Sequence, residues 1–247
     1  MRLIDRSAHT SRWRRLPCAE KAALSIGMMA VALATDSWSA EALILLSAIG
    51  LTTLGAGVSV KDMARSAAVP AGFILAGTLA QGVSLRMSGG LPIPALSAPG
   101  LSHAAFVGLR SLACVAALLC LALTTPLTDV LQLLRRLGVG REICDIALIM
   151  FRFVWLILEC AERGRQSQAN RLGYDGYRRS LRSLAQLMAA LLPRALGRAR
   201  RLECGLGARG YDGELRFLDR GRPTSLVRVA GIGGLIAVIA VVGRIAA

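Results

Sequence analysis

The sequence predicts an all-α integral membrane protein with about five transmembrane helices and a long cytoplasmic segment of amphipathic helices. Three observations carry that prediction. Of the 247 residues, 54% are hydrophobic and only 18% charged, whereas soluble domains average roughly 45–50% apolar and about 25% charged. Several stretches carry no charge at all, and five of them are apolar over helix length. The net charge of +15 lies wholly outside them, with 18 arginines between Arg135 and Arg222. Disorder needs low hydrophobicity and is excluded.

The uncharged stretches run over 22–35, 42–60, 66–85, 111–128 and 229–243. A helix crosses the bilayer core with roughly 17–25 mostly apolar residues. Spans are therefore expected over 22–38, 42–60, 66–85, 104–126 and 226–247. The first four form an N-terminal membrane bundle (1–128), 129–225 a cytoplasmic module, and 226–247 a C-terminal transmembrane helix. A single soluble core cannot bury five unbroken apolar helices. Lys21 and Arg244 are expected to snorkel to the interface, and Trp38 suits the headgroup belt. Arg110 borders the fourth span, and either snorkels as well or pairs inside the bundle.

The basic residues orient the chain. Arg2, Arg6, Arg12, Arg14, Arg15 and Lys21 precede the first span, Lys61 and Arg65 lie between the second and third, and 18 arginines lie between Arg135 and Arg222. The connection over 36–41 has none, and the Gly- and Pro-rich connection over 86–101 has only Arg86. The positive-inside rule then places the N-terminus and 129–225 in the cytoplasm, the two poor connections outside, and the C-terminus outside for an odd span count. The competing reading of 12–34 as a signal peptide gives an overlong basic region containing Glu20.

Three helices are expected in the cytoplasmic segment. The first, over 142–171, has an apolar half interrupted by Arg152, which places it at the membrane boundary. The second, over 178–192, carries Leu181, Leu184, Leu187, Met188, Leu191 and Leu192 as one stripe. Pro193 should kink or end it. The third follows over 194–209. These basic amphipathic helices suit an anionic lipid surface. Gly173-Tyr-Asp-Gly176 and Gly210-Tyr-Asp-Gly213 close the first and third. Gly173 and Gly210 are expected as left-handed caps, with Arg171 two residues before the first and Arg209 directly before the second. Two similar basic tips on one chain would suit a partner offering two similar acidic grooves.

The stretch Gly207-Ala208-Arg209-Gly210-Tyr211-Asp212-Gly213 resembles the Ala-Arg-Gly signature of the transmembrane T component of energy-coupling factor (ECF) transporters. Gln168-Ala169-Asn170-Arg171-Leu172-Gly173-Tyr174 is a looser first signature, in which Asn170 and Leu172 replace Ala and Gly. The start, with Arg12-Trp13-Arg14 and Pro17-Cys18-Ala19-Glu20-Lys21, resembles the cobalt-transport CbiQ subfamily. The resemblance implies a non-catalytic scaffold whose long coupling helices dock into a dimer of ATP-binding-cassette ATPases. It makes Arg171 and Arg209 the coupling arginines, with Ala208 and Gly210 completing the second signature. It also implies a separate substrate-binding membrane subunit (CbiM-like), a small accessory membrane subunit (CbiN-like), ATP and Mg²⁺ on the ATPases, and transported Co²⁺ or Ni²⁺ on the partner.

The residues themselves agree. A Walker A loop needs Gly-Lys, and the chain's two lysines, Lys21 and Lys61, do not follow a glycine. No cofactor site is expected in this chain. Its two histidines, His9 and His103, sit on opposite sides of the expected topology, and its six cysteines show no C-x₂-C spacing. No catalytic residue is expected. The rival readings are a polytopic membrane enzyme, which would want intramembrane His/Asp/Glu clusters, and a membrane-anchored basic binding protein. Nucleic acid is not the expected partner, because the basic stretches lack an aromatic stacking platform.

Overall fold

The protein, analysed as a computed structural model, is described over residues 3–88, 91–96, 98–211 and 224–246. It divides into two compact units, Met1–Val130 with Arg220–Ala247, and Leu131–Asp219. The first unit holds α1 (Leu3–Thr10), a 3-10 turn (Arg12–Arg15), α2 (Cys18–Ala34), α3 (Trp38–Gly50) with a π turn (Leu51–Gly55), and α4 (Val60–Gly82). A hairpin of β1 (Val83–Ser88) and β2 (Leu91–Leu96) follows, then α5 (Ala98–Thr124). α6 (Leu127–Arg136) lies at the boundary of the two units, α7 (Arg141–Ala169) and α8 (Tyr177–Gly207) make up the second, and α9 (Leu226–Ile245) returns to the first.

Four stretches are long and apolar enough to cross a membrane: Trp38–Gly55, Val60–Gly82, Gly100–Thr124 and Leu226–Ile245. The protein is therefore an α-helical, multi-pass membrane protein. The expected first span is α2, whose 17 residues reach about 26 Å at 1.5 Å per residue. That is the short end of the spanning range. The connection expected as a loop over 86–101 is in part a hairpin, with Val83 opposite Leu96 and Ser88 opposite Leu91. Pro92 and Pro94 fit there because each strand of a two-stranded ribbon has a free edge. Gly89 and Gly90 lie outside the described residues.

In lipid, helices gain little hydrophobic drive from meeting one another, so close packing and hydrogen bonds must hold the bundle. α5 is its hub. Ala113, Ala116 and Ala117 on α5 meet Leu24, Met28 and Ala32 of α2, Ile44 and Ala48 of α3, and Ile239 of α9. Small residues permit that approach: a Cβ on Gly108 would lie 2.4 Å from the Thr78 side chain, and one on Gly55 2.7 Å from Trp13. The π turn lets the Ala56 amide donate to Leu51 O at 2.9 Å.

Lys21, Glu20 and Arg110, charges at the ends of the membrane helices, each have specific partners. Lys21 does not snorkel. It is 3% exposed, and its Nζ donates to Thr124 O at 3.0 Å and Trp13 O at 3.3 Å. The ammonium thus caps the end of α5, where carbonyls have lost their helical donors. Glu20, beside it, accepts from the Ser225 amide at 3.0 Å and pairs with Arg228 at 3.0 Å, fixing the start of α9. Arg110 takes the second of its two readings, pairing inside the bundle. It pairs with Glu41 at 2.9 Å and Asp36 at 2.8 Å, donates to Thr35 O, and stacks 4.7 Å over the Phe106 ring. Trp38, about half exposed, meets the edge of Phe106 at 5.4 Å.

Candidate functional site

The second unit corrects the helix count expected for the cytoplasmic segment. The helix expected over 142–171 is α7, 29 residues long. The two expected over 178–192 and 194–209 are one 31-residue helix, α8, with Pro193 inside it. Proline removes one backbone donor and crowds the preceding turn. The flanks, Ala189-Ala190-Leu191-Leu192 and Arg194-Ala195-Leu196, are all strong helix formers, and the helix runs through. α6 was not expected at all. It ends where Gly138 takes φ +94 and the Val139 amide donates to Leu134 O at 3.1 Å.

α7 and α8 pack together near the turn that joins them. Gly164 makes room for Leu187, whose Cδ1 would lie 2.5 Å from an added Cβ. Gln168 Nε2 donates to Ser183 O at 2.9 Å, Tyr174 OH donates to Gln168 Oε1 at 2.8 Å, and Ser183 Oγ donates to Gly173 O at 2.8 Å. These bonds tie residues 168–174 to one turn of α8, which sets the direction of the tip. The outer side of α8 keeps Leu181, Leu184, Met188, Leu192 and Leu196 exposed at helical spacing, the stripe seen in the sequence.

Both tip arginines occupy the same place in the same cap. At the end of α7, the Gly173 amide donates to Gln168 O at 2.9 Å and the Leu172 amide to Ala169 O at 3.0 Å. At the end of α8, the Tyr211 amide donates to Leu206 O at 3.1 Å and the Gly210 amide to Gly207 O at 3.1 Å. Each is the paired bond pattern of a Schellman motif. In each, the arginine immediately precedes the left-handed residue: Arg171 before Leu172 (φ +56), Arg209 before Gly210 (φ +72). Gly210 is the cap expected of it. Gly173 is not: the left-handed residue is Leu172, and Gly173 serves close approach. The repeated Gly-Tyr-Asp-Gly is therefore one residue out of step with the structural repeat. The sequence did carry the signal, since Arg171 stands two residues before its glycine and Arg209 only one. Asp212 and Gly213 lie outside the described residues.

Arg171, Ala208, Arg209 and Gly210 are all exposed. Neighbouring arginines are engaged locally. Arg163 pairs with Glu159, Arg165 with Glu162 at 2.8 Å, and Arg179 with Asp175 at 3.4 Å. Hydrogen bonds from Arg163 and Arg165 hold the Glu159 and Glu162 carboxyls below the usual carboxylate range. The side chains of Arg171 and Arg209 have no hydrogen-bond or ion-pair partner among the described residues. They lie at opposite ends of α8, separated by 31 residues of helix, about 46 Å at 1.5 Å per residue. The structure thus does not gather the sequence-predicted residues into one site but holds them as two separate tips. Among the described residues, no three His, Cys, Asp or Glu side chains gather as around a metal ion.

Gly173→Ala tests this frame. The new Cβ would lie 2.8 Å from Ser183 Oγ and 2.9 Å from Gln168 O, and the carbonyl cannot swing away without breaking the cap. A loss of about 1–3 kcal/mol is expected at the α7–α8 turn, read as faster hydrogen exchange of the amides over 168–183.

The chain is similar to known proteins over most of its length. The sequence model of the family described as cobalt transport protein, CbiQ, matches residues 10–217. The chain is 40% identical over 229 residues to a cobalt transport protein CbiQ of Rhodobacter capsulatus, covering 93% of this chain and 92% of that protein. It is 27% identical over 223 residues to a cobalt transport protein CbiQ of Salmonella typhimurium, covering 87% and 99%. It is also 26% identical over 118 residues to a putative fused cobalt transport protein CbiMQ of Methanocorpusculum labreanum, covering 48% of this chain and 20% of that protein.

Proposed function

The chain belongs to the CbiQ family of cobalt transport proteins, and from that premise we propose that it is the energy-coupling scaffold of an ATP-driven, ECF-type metal importer. In this reading the importer carries cobalt or nickel. The observation that carries the coupling role is the pair of equivalent caps at the two ends of α8, each presenting an exposed arginine whose side chain has no partner among the described residues. A helix end is electronegative, so arginine is stable there without a local carboxylate. It remains free to meet an acidic partner.

The partner is a dimer of ABC ATPases, which bind ATP and Mg²⁺ themselves. Each tip docks in one groove, with Arg171 in one and Arg209 with Ala208 and Gly210 in the other. When ATP closes the dimer, the grooves approach and the tips follow. Gln168, Tyr174 and Ser183 brace the first tip against α8, so its displacement moves both helices together. Work is done only if the tips contact the closed dimer better than the open one. The cargo site belongs to a CbiM-like membrane subunit, with a small CbiN-like accessory subunit. The relative described as a putative fused cobalt transport protein CbiMQ supports that association.

With α2 as a fifth span, the chain lies in the bacterial inner membrane with its N-terminus and tips in the cytoplasm and its C-terminus outside. Membrane lipid meets the basic amphipathic faces. In a variant without native cysteines, Ala95→Cys should label from outside and Ser167→Cys only from inside. The reverse pattern would refute this orientation. The reading itself is tested by cobalt uptake in cells that express the ATPase and the metal-binding subunit with or without this chain. Uptake should require it.

A further inference from the structure

We propose that Leu172 is an apolar anchor of the first tip, seating in a hydrophobic pocket of the partner ATPase beside the acidic groups that take Arg171. This rests on the coupling reading above. Leu172 is the one non-glycine residue with positive φ among the described residues, at +56. Its counterpart at the second tip is Gly210, and the residue doing the same work at the end of α6 is Gly138. The left-handed region brings Cβ against the following carbonyl, so a side chain is disfavoured there and glycine is the usual choice. A residue present only to finish the helix would be glycine.

The side chain gains nothing locally in exchange. Leu172 is 70% exposed. The apolar contact that often accompanies this cap, from the next residue back onto the helix, is unavailable because that residue is Gly173. Strain held at an exposed position is the mark of a functional constraint.

The surroundings identify the kind of partner. Asn170, Arg171, Asp175 and Gly176 are exposed around it. Tyr177, at the start of α8, is exposed as well. An apolar side chain set between polar and charged neighbours matches a protein pocket with a central anchor and a polar rim. A lipid surface would take a continuous apolar face, and α8 already offers one through Leu181, Leu184, Met188 and Leu192. The two tips therefore differ. One offers arginine with an anchor, the other arginine with bare backbone, so one chain holds the two ATPase copies unequally.

The test uses the full-length protein in mild detergent and the purified ATP-binding-cassette ATPase dimer of the same transport system. Leu172→Gly should relieve the backbone, slowing hydrogen exchange at amides 172 and 173. It should also weaken ATPase binding about tenfold to a hundredfold, as for one leucine returned to water. Stability and affinity thus move in opposite directions, which no purely structural role produces. A variant with slower exchange and undiminished affinity overturns the anchor. So does Leu172→Gly lowering binding to phosphatidylglycerol vesicles while leaving ATPase affinity intact, which would make lipid the occupant. Arg209→Glu is the control. If it leaves the wild-type affinity unchanged, the coupling reading fails rather than the anchor.

Discussion

Arg171→Glu combined with Arg209→Glu is expected to give a folded membrane protein that no longer retains its ATPases and no longer supports uptake. Both side chains are exposed and without a partner among the described residues, so their replacement removes no contact within the fold. Surface substitutions of that kind usually stay within about 0.5 kcal/mol. At the interface the effect is large, because each change removes a charge-assisted contact and sets like charges together, a cost of several kcal/mol. Either single variant should weaken retention, and the double variant should abolish it. Folding is checked by elution volume in detergent, retention by co-purification, and transport by cobalt uptake. A double variant that keeps its ATPases would remove the coupling assignment.

The second large effect lies in the membrane bundle. Glu41 is fully buried, with Oε1 bonded to Arg110 at 2.9 Å and Oε2 without a hydrogen-bond partner. Arg110 also reaches Asp36 and the last carbonyl region of α2 at Thr35. This one side chain ties the α2–α3 connection to α5. Arg110→Leu would leave Glu41 as an uncompensated buried carboxylate, and breaking one half of a buried pair costs about 3–5 kcal/mol. The thermal midpoint in detergent should fall sharply. Adding Glu41→Gln to Arg110→Leu should recover part of the loss, since it removes the stranded charge. Unchanged stability in Arg110→Leu would show that the pair is not what holds the connection.

The membrane architecture was legible because lipid imposes a coarse requirement: enough uncharged residues in a row to cross. Four of the five expected spans are helices of spanning length, and α2 falls only at the margin of that length. What the sequence hid are matters of partnership. Lys21 read as a snorkelling residue, and for Arg110 pairing inside the bundle stood beside snorkelling with no partner named, because local sequence cannot show that Thr124 and Glu41 wait across the bundle. Pro193 read as a break because the rule is local, while the helix formers on both sides outweigh it. The tip arginines were visible, but their equivalence was not. Glycine motifs drew the alignment to Gly173 and Gly210, whereas the backbone pairs Leu172 with Gly210. The one-residue difference in spacing between arginine and glycine was the signal for that offset, but a leucine in the left-handed region is rare, so the glycine was the residue read as the cap.

If this chain is the single scaffold between two ATPases and a metal-binding membrane partner, the native mass of the complex purified through it from mild detergent should fit one copy of this chain, two ATPase copies and a CbiM-like membrane protein. A chain recovered without any ATPase, from cells that transport cobalt through it, would rule that role out.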